Sequence, residues 1–185
     1  MFDEHTRPAG DLRRGLAQGL AILVIGTGAV TGLAPVASAQ TPPATNAAIL
    51  ALEEMWACSQ NLTVIYDAIQ AFQADRHDLP NWLSDLVPRY LEDINVLTCP
   101  VCRRTGQTEA PPLADPKLPS SYLFEFCPVP LGNLAANAPN RTRREWKRRQ
   151  MDLVGSQVPV VRCRHHRPVL NLAFDGRVYE SPPSW

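Results

Sequence analysis

The sequence lacks a surplus of charge, a second long apolar run and any recognisable catalytic signature. Lys and Arg together number 18 and Asp and Glu 18, so the formal net charge is zero and bulk electrostatics point to neither nucleic acid nor a membrane surface as partner. There is no Gly-rich phosphate loop, no H-E-x-x-H helix and no Ser, His and Asp set in a known arrangement. Nucleotide-binding, zinc-protease and serine-hydrolase chemistry are therefore not indicated, and a non-catalytic protein is expected. No internal repeat is visible.

The one long apolar run lies near the start. Arg13 and Arg14 precede an uncharged stretch from Gly15 to Gln40, with an apolar core around Leu20 to Val30 and small residues at Ala37 and Ala39. A basic flank, an apolar core and an A-x-A site before Gln40 have the order of a secretory signal over residues 1–39. Residues 15–37 are also long enough, at about 20 residues, to be an uncleaved membrane anchor, although the glycines and Pro35 favour cleavage. Both readings place the remainder outside the cytoplasm, in the periplasm or secreted. Residues 40–46 form a polar linker, and 47–185 suffice for one domain with a hydrophobic core.

Within that domain, Met55, Cys58, Leu62, Ile65, Ile69 and Phe72 recur at steps of three and four, which predicts a helix over Ala47 to Asp75 with Glu53, Glu54, Gln60, Asn61, Asp67 and Gln70 on its wet face. "NWLSDLVPRYL" predicts a short helix stopped at Pro88, its leucines and Trp82 capping the end of the long one. "INVLTC" reads as extended, and the proline-rich residues 103–119 as a surface loop. The pattern then changes to strand spacing. Tyr122, Phe124 and Phe126 alternate, "VPVVRC" and "PVLNLAF" are strand-like, and Asp175-Gly176 between alternating runs predicts a tight hairpin. The expected fold is α+β, one long N-terminal helix on a small antiparallel sheet.

Charge is segregated along the chain. Residues 53–93 hold eight acids against Arg76 and Arg89, and residues 141–167 hold nine bases against Glu145 and Asp152. Complementary halves suit contact within one molecule or between copies, and association of that kind weakens with salt. The densest basic stretch, Arg141, Arg143, Arg144, Lys147, Arg148 and Arg149, fits a short helix through Gln150, capped by Asn140 or Thr142 and anchored by Trp146 and Met151. It is the candidate interaction surface for a protein or other anionic partner. Alternatively, its arginines pair with the acidic half.

The order Cys58, Asn61, Leu62, Phe72, Asp75, His77, Pro80, Leu83, Leu86, Pro88, Tyr90, Leu91, Cys99-Pro100, followed by "SYLFEF", "RCRHH" and "LNLAFDGRVY", resembles type II secretion pseudopilins, especially the soluble part of the major pseudopilin and its planctomycete and verrucomicrobial relatives. The resemblance covers roughly residues 55–181. It implies a helical spine, a small sheet and an assembly role through protein contacts or self-association, without catalysis. One departure is clear: after Gly15 the fifth position is Leu20 where pseudopilins carry a glutamate, and the next glutamate is Glu53. A pseudopilin-like domain on an ordinary export signal, without the usual prepilin leader, is the form expected.

Five cysteines remain to be placed: Cys58, Cys99, Cys102, Cys127 and Cys163. The C-x-x-C of "LTCPVCRRTG" is compatible with a metal knuckle, a redox pair or disulfides, and an exported compartment favours disulfides. The resemblance implies a Cys99–Cys163 bridge, with Cys102–Cys127 as the second. On loop-closure entropy, the first would contribute about 3–4.5 kcal/mol. Cys58, on the apolar helical face, is expected to be a buried free thiol or, less favourably, an intermolecular bridge. No cofactor is expected under this reading. The alternative is zinc on Cys99, Cys102, Cys127 and Cys163, with His165 or His166 replacing a thiol; adjacent histidines on a strand would face opposite ways, so only one could join. A redox pair at Cys99 and Cys102 is disfavoured because no helix is expected to follow and lower a thiol pKa.

Overall fold

A helix-forming run rich in alanine, leucine and glutamine starts at Thr45, whose hydroxyl accepts a hydrogen bond from the Ala48 amide at 3.3 Å. Helix α1 spans Asn46–Arg76 and ends where His77 turns left-handed at φ 56° and returns its amide to the Gln73 carbonyl. These features belong to a computed structural model, which describes residues 45–132 and 141–183. The expected export segment at 1–39, most of the linker and Asn140 lie outside the described residues. Among the described residues, no helix is long and apolar enough to cross a membrane.

The buried face of α1 is Cys58, Leu62, Ile65, Ala68 and Ile69, with Met55 and Phe72 packed at its margins. Each large aliphatic side chain removed from water there contributes roughly 1.5–3 kcal/mol. None of residues 46–57 is buried, and Leu52 and Trp56 are among the most exposed large apolar groups. Asn61, expected in water, is half-buried and hydrogen-bonded to the body.

The chain then covers the end of the helix with Leu79, Leu83, Leu86, Leu91 and Leu97, all buried. The short helix anticipated before Pro88 is a single 3-10 turn, Leu83–Leu86. "INVL", expected to be extended, is another such turn, because the Asp93 carboxylate captures the Asn95 amide at 2.9 Å and tightens the backbone. A further correction concerns the start of the proline-rich region. Pro100–Thr105 forms helix α2, with Pro100 presetting the first helical φ and Gly106 closing it at φ 74°.

Strands β1 (Leu123–Phe124), β2 (Pro159–Cys163), β3 (Val169–Ala173) and β4 (Val178–Ser181) make one antiparallel sheet in chain order. Phe124 pairs with Val161, Val161 with Leu172, and Leu172 with Val178. The alternation expected in "SYLFEFC" gives way to burial of every residue from Ser120 to Cys127. The cause is helix α3 (Arg143–Val154), which meets the face that would otherwise be wet: Arg143 and Lys147 reach Glu125 there.

Helix α3 begins with a reciprocal cap, the Thr142 hydroxyl accepting from the Glu145 amide and the Glu145 carboxylate accepting from the Thr142 amide. It runs beyond Gln150 to Val154. Trp146, expected as an anchor, is 41% exposed, whereas Lys147 is buried; Met151 does pack on the core.

The β3–β4 turn carries Asp175 and Gly176 as expected. Gly176 sits at φ 87°, and a Cβ there would lie 2.9 Å from ring carbons of Tyr66 on α1. Positive φ and close approach both require glycine. Gly176→Ala is expected to lower unfolding stability by about 1–3 kcal/mol in urea titration, through strain and displacement of Tyr66.

Candidate metal centre

Three separate parts of the chain deliver soft ligands to one point. Cys58 comes from the buried stripe of α1, Cys99 immediately precedes α2, Cys163 ends β2, and His166 follows in the β2–β3 loop. The three sulfurs and an imidazole nitrogen lie within 4.8 Å of one another, and all four residues are buried. Nε2 of His166 is 3.2 Å from the Cys99 sulfur.

The surrounding hydrogen bonds are directional. The Asn61 side-chain amide donates to the Thr98 carbonyl at 3.3 Å and to the Tyr122 hydroxyl at 3.2 Å. A carbonyl can only accept, which fixes the amide orientation; the Tyr122 oxygen is then an acceptor from Asn61, and its proton is left for the Cys58 sulfur at 3.4 Å. Burial, first of all, raises the Tyr122 pKa and keeps that proton in place. Cys99 is positioned through its amide, which donates to the Ser121 hydroxyl at 2.5 Å. Asn61 and Tyr122 therefore orient and polarise one ligand while Ser121 holds the backbone of another.

Electrostatically the cluster concentrates thiolate character on Cys99. Hydrogen bonds from Cys163, then Cys58, pull the Cys99 thiol well below its ordinary pKa, with His166 adding to the effect. Cys163 is pushed up by its hydrogen bonds to Cys58 and Cys99 and then by burial. A thiolate is what a metal ligand requires. Tetrahedral zinc, with bonds of about 2.0–2.3 Å, would hold ligand atoms roughly 3.3–3.8 Å apart, and the four atoms here lie within 4.8 Å of one another.

The grouping differs from both arrangements expected from sequence. All five cysteines are free thiols in this structure, so neither Cys99–Cys163 nor Cys102–Cys127 is bridged. Cys99 and Cys163 do meet, but in company with Cys58 and His166. Of the expected zinc ligands, Cys99, Cys163 and His166, the last named as a replacement for a thiol, come together, and Cys58 joins them, while Cys102 and Cys127 lie outside the cluster. Cys102, the third residue of α2, lies beside Cys99 but is not one of the four clustered ligands, and burial foremost pushes its thiol up to about 12. Burial also raises Cys127. His165 and His166 part company as expected, although in a loop rather than on a strand. Cys58 was legible as buried; its pairing with Asn61 one helical turn later was the available clue to more than packing.

The basic stretch is largely turned inward. Arg144 donates to the carbonyls of Phe126, Leu79 and Pro80, and with Arg148 it flanks Asp78, at 3.5 and 2.7 Å. Arg143 and Lys147 share Glu125, and Arg141 is half-buried beside the Pro130–Thr142 bridge. Trp146 and Arg149 line an open groove between α3 and the sheet. The acidic and basic halves thus meet within one molecule at Asp78.

Tyr122→Phe removes the donor to Cys58 while conserving the ring. Zinc affinity, measured by competition with a chromophoric chelator, is expected to fall about 10–100-fold, with little loss for Cys127→Ala. No family model, curated protein or solved structure matches this chain.

Proposed function

We propose that this chain is an extracytoplasmic, non-catalytic assembly domain whose fold is fastened by one zinc ion on Cys58, Cys99, Cys163 and His166. The observation that carries the metal reading is the convergence of four buried ligand atoms within 4.8 Å from three regions of the chain. Three thiols and one imidazole suit zinc among the common divalent ions. Four protein ligands leave no open position for water or substrate, which is the pattern of structural sites. Bound there, zinc would cross-link α1, the α2 knuckle and the sheet. The resemblance to type II secretion pseudopilins supports the assembly role, and the export segment read from sequence supports the location.

A second reading has a specific basis. Cys99 and Cys163, the pair implied by the resemblance, are both in the cluster, and a disulfide between them would occupy two of the four ligands.

Purified full-length protein distinguishes the two. Zinc binding predicts one zinc per chain, five thiols titratable in denaturant with chelator, and cobalt substitution giving the absorption of a tetrahedral thiolate site. At free zinc a hundredfold above Kd, the melting midpoint is expected to rise by roughly 5–10 °C. Cys58→Ser and His166→Ala are expected to abolish this rise, and Cys127→Ala to retain it. Three thiols, no zinc and no response to chelation would establish the disulfide and overturn the metal reading.

A further inference from the structure

Cys99 belongs to two groupings at once. It is one of the four clustered ligands, and it is also the first thiol of the C-x-x-C turn, whose second thiol, Cys102, faces its sulfur closely enough to share a hydrogen bond. Pro100 begins the helical turn that sets the two thiols side by side at the start of α2. This is a spacing that a disulfide bridges. Ser121 touches both, its hydroxyl accepting from the Cys99 amide at 2.5 Å and meeting the Cys102 thiol. Cys127, the other thiol outside the cluster, stands among Glu125, Val129 and Arg143 instead.

The neighbours of Cys99 differ in how freely they can follow it. Cys58 is set in the buried stripe of α1 and Cys163 at the end of β2, whereas Cys102 shares a six-residue helix with Cys99 and moves with it. Cys99 is 0% and Cys102 1% exposed, but residues 103–108, directly after them, are all exposed. Short surface elements open locally at a small fraction of the global unfolding free energy. A small oxidant can therefore reach the pair without unfolding of α1 or the sheet.

We infer that Cys102 is a resolving thiol that makes the metal centre reversibly sensitive to oxidation, with a hydroperoxide as the oxidant. The inference rests on the zinc reading above. With hydrogen peroxide, the Cys99 sulfur attacks one oxygen, the O–O bond breaks, and the departing hydroxide takes a proton from solvent, leaving Cys99 as a sulfenic acid. The Cys102 sulfur then forms the S–S bond as the S–O bond breaks, and the Cys102 proton leaves with the hydroxyl as water. Peroxide is reduced by two electrons to two waters, and the two thiols are oxidised to one disulfide. Cys99 is lost to the zinc ion, three ligands remain, and the ion is released. Reduction of the disulfide returns the thiolate and restores the site. The extracytoplasmic location proposed for the chain is an oxidising one.

Treating zinc-loaded full-length protein with an excess of hydrogen peroxide tests this, with released zinc read by a chromophoric chelator and bonds mapped by peptide mass spectrometry. Wild type is expected to release its zinc, to form Cys99–Cys102, and to take zinc up again after a phosphine reductant. Cys102→Ser is expected to bind one zinc beforehand, since Cys102 is not a ligand. After peroxide its Cys99 proceeds to sulfinic acid, which the reductant does not reverse, so the zinc uptake recovered is expected to be at least about tenfold below that of wild type. Cys102→Ala should behave as Cys102→Ser does, and Cys127→Ala as wild type. Full recovery by Cys102→Ser, a Cys99–Cys163 bond in place of Cys99–Cys102, or zinc retained under peroxide would overturn the switch and leave the metal centre standing. A wild-type chain that takes up no zinc before peroxide would overturn the metal centre and the switch with it.

Discussion

Everything else in this fold is arranged around the removal of three thiols and an imidazole from water at one point. Burial is costly for such groups when each is alone, because any charge among them loses its hydration. Gathered together, they compensate one another: Cys163, Cys58 and His166 all act to favour negative charge on Cys99. That mutual dependence fixes where α1, the start of α2, the end of β2 and the loop after it must stand. The leucines around the helix end supply the bulk of the apolar burial, but they are interchangeable in a way the four polar groups are not.

A second buried charge works by different means. Glu125 meets three cations, Arg143 and Lys147 from α3 and Arg162 from β2, each carrying its charge at the end of an apolar stem. Lysine and arginine thereby act as core residues. This is why Trp146, which any hydropathy pattern would place inside, lies outside, while Lys147 lies within.

The long helix and the strands were legible in the sequence because each has a period of its own: Cys58, Leu62, Ile65 and Ile69 for α1, and the Asp175-Gly176 turn between alternating runs for β3 and β4. The 3-10 turn at Ile94–Leu97 was not, since it depends on one Asp93 side chain overriding an apolar run that suits a strand equally well. Of the candidate site, Cys99, Cys163 and the His165-His166 pair were visible as ligand types. Their fourth partner was hidden because Cys58 also satisfies the apolar periodicity of its helix, and packing accounts for it as well as ligation does. Cys102 misled in the opposite direction: C-x-x-C spacing suggests a shared site, and its thiol does stay beside Cys99 on the turn begun by Pro100, but the cluster is completed by Cys58, Cys163 and His166.

The uncovered beginning of α1 has a consequence for how the helix responds to force and to fluctuation. Twelve residues, 46–57, stand ahead of the first buried one, a length of about 18 Å of helix. Such a segment does not nucleate by itself; it propagates from turns already fixed downstream. Its amide protons should therefore exchange in a gradient, slowest at Cys58 and fastest at Asn46, so that the helix behaves as a rod clamped at one end.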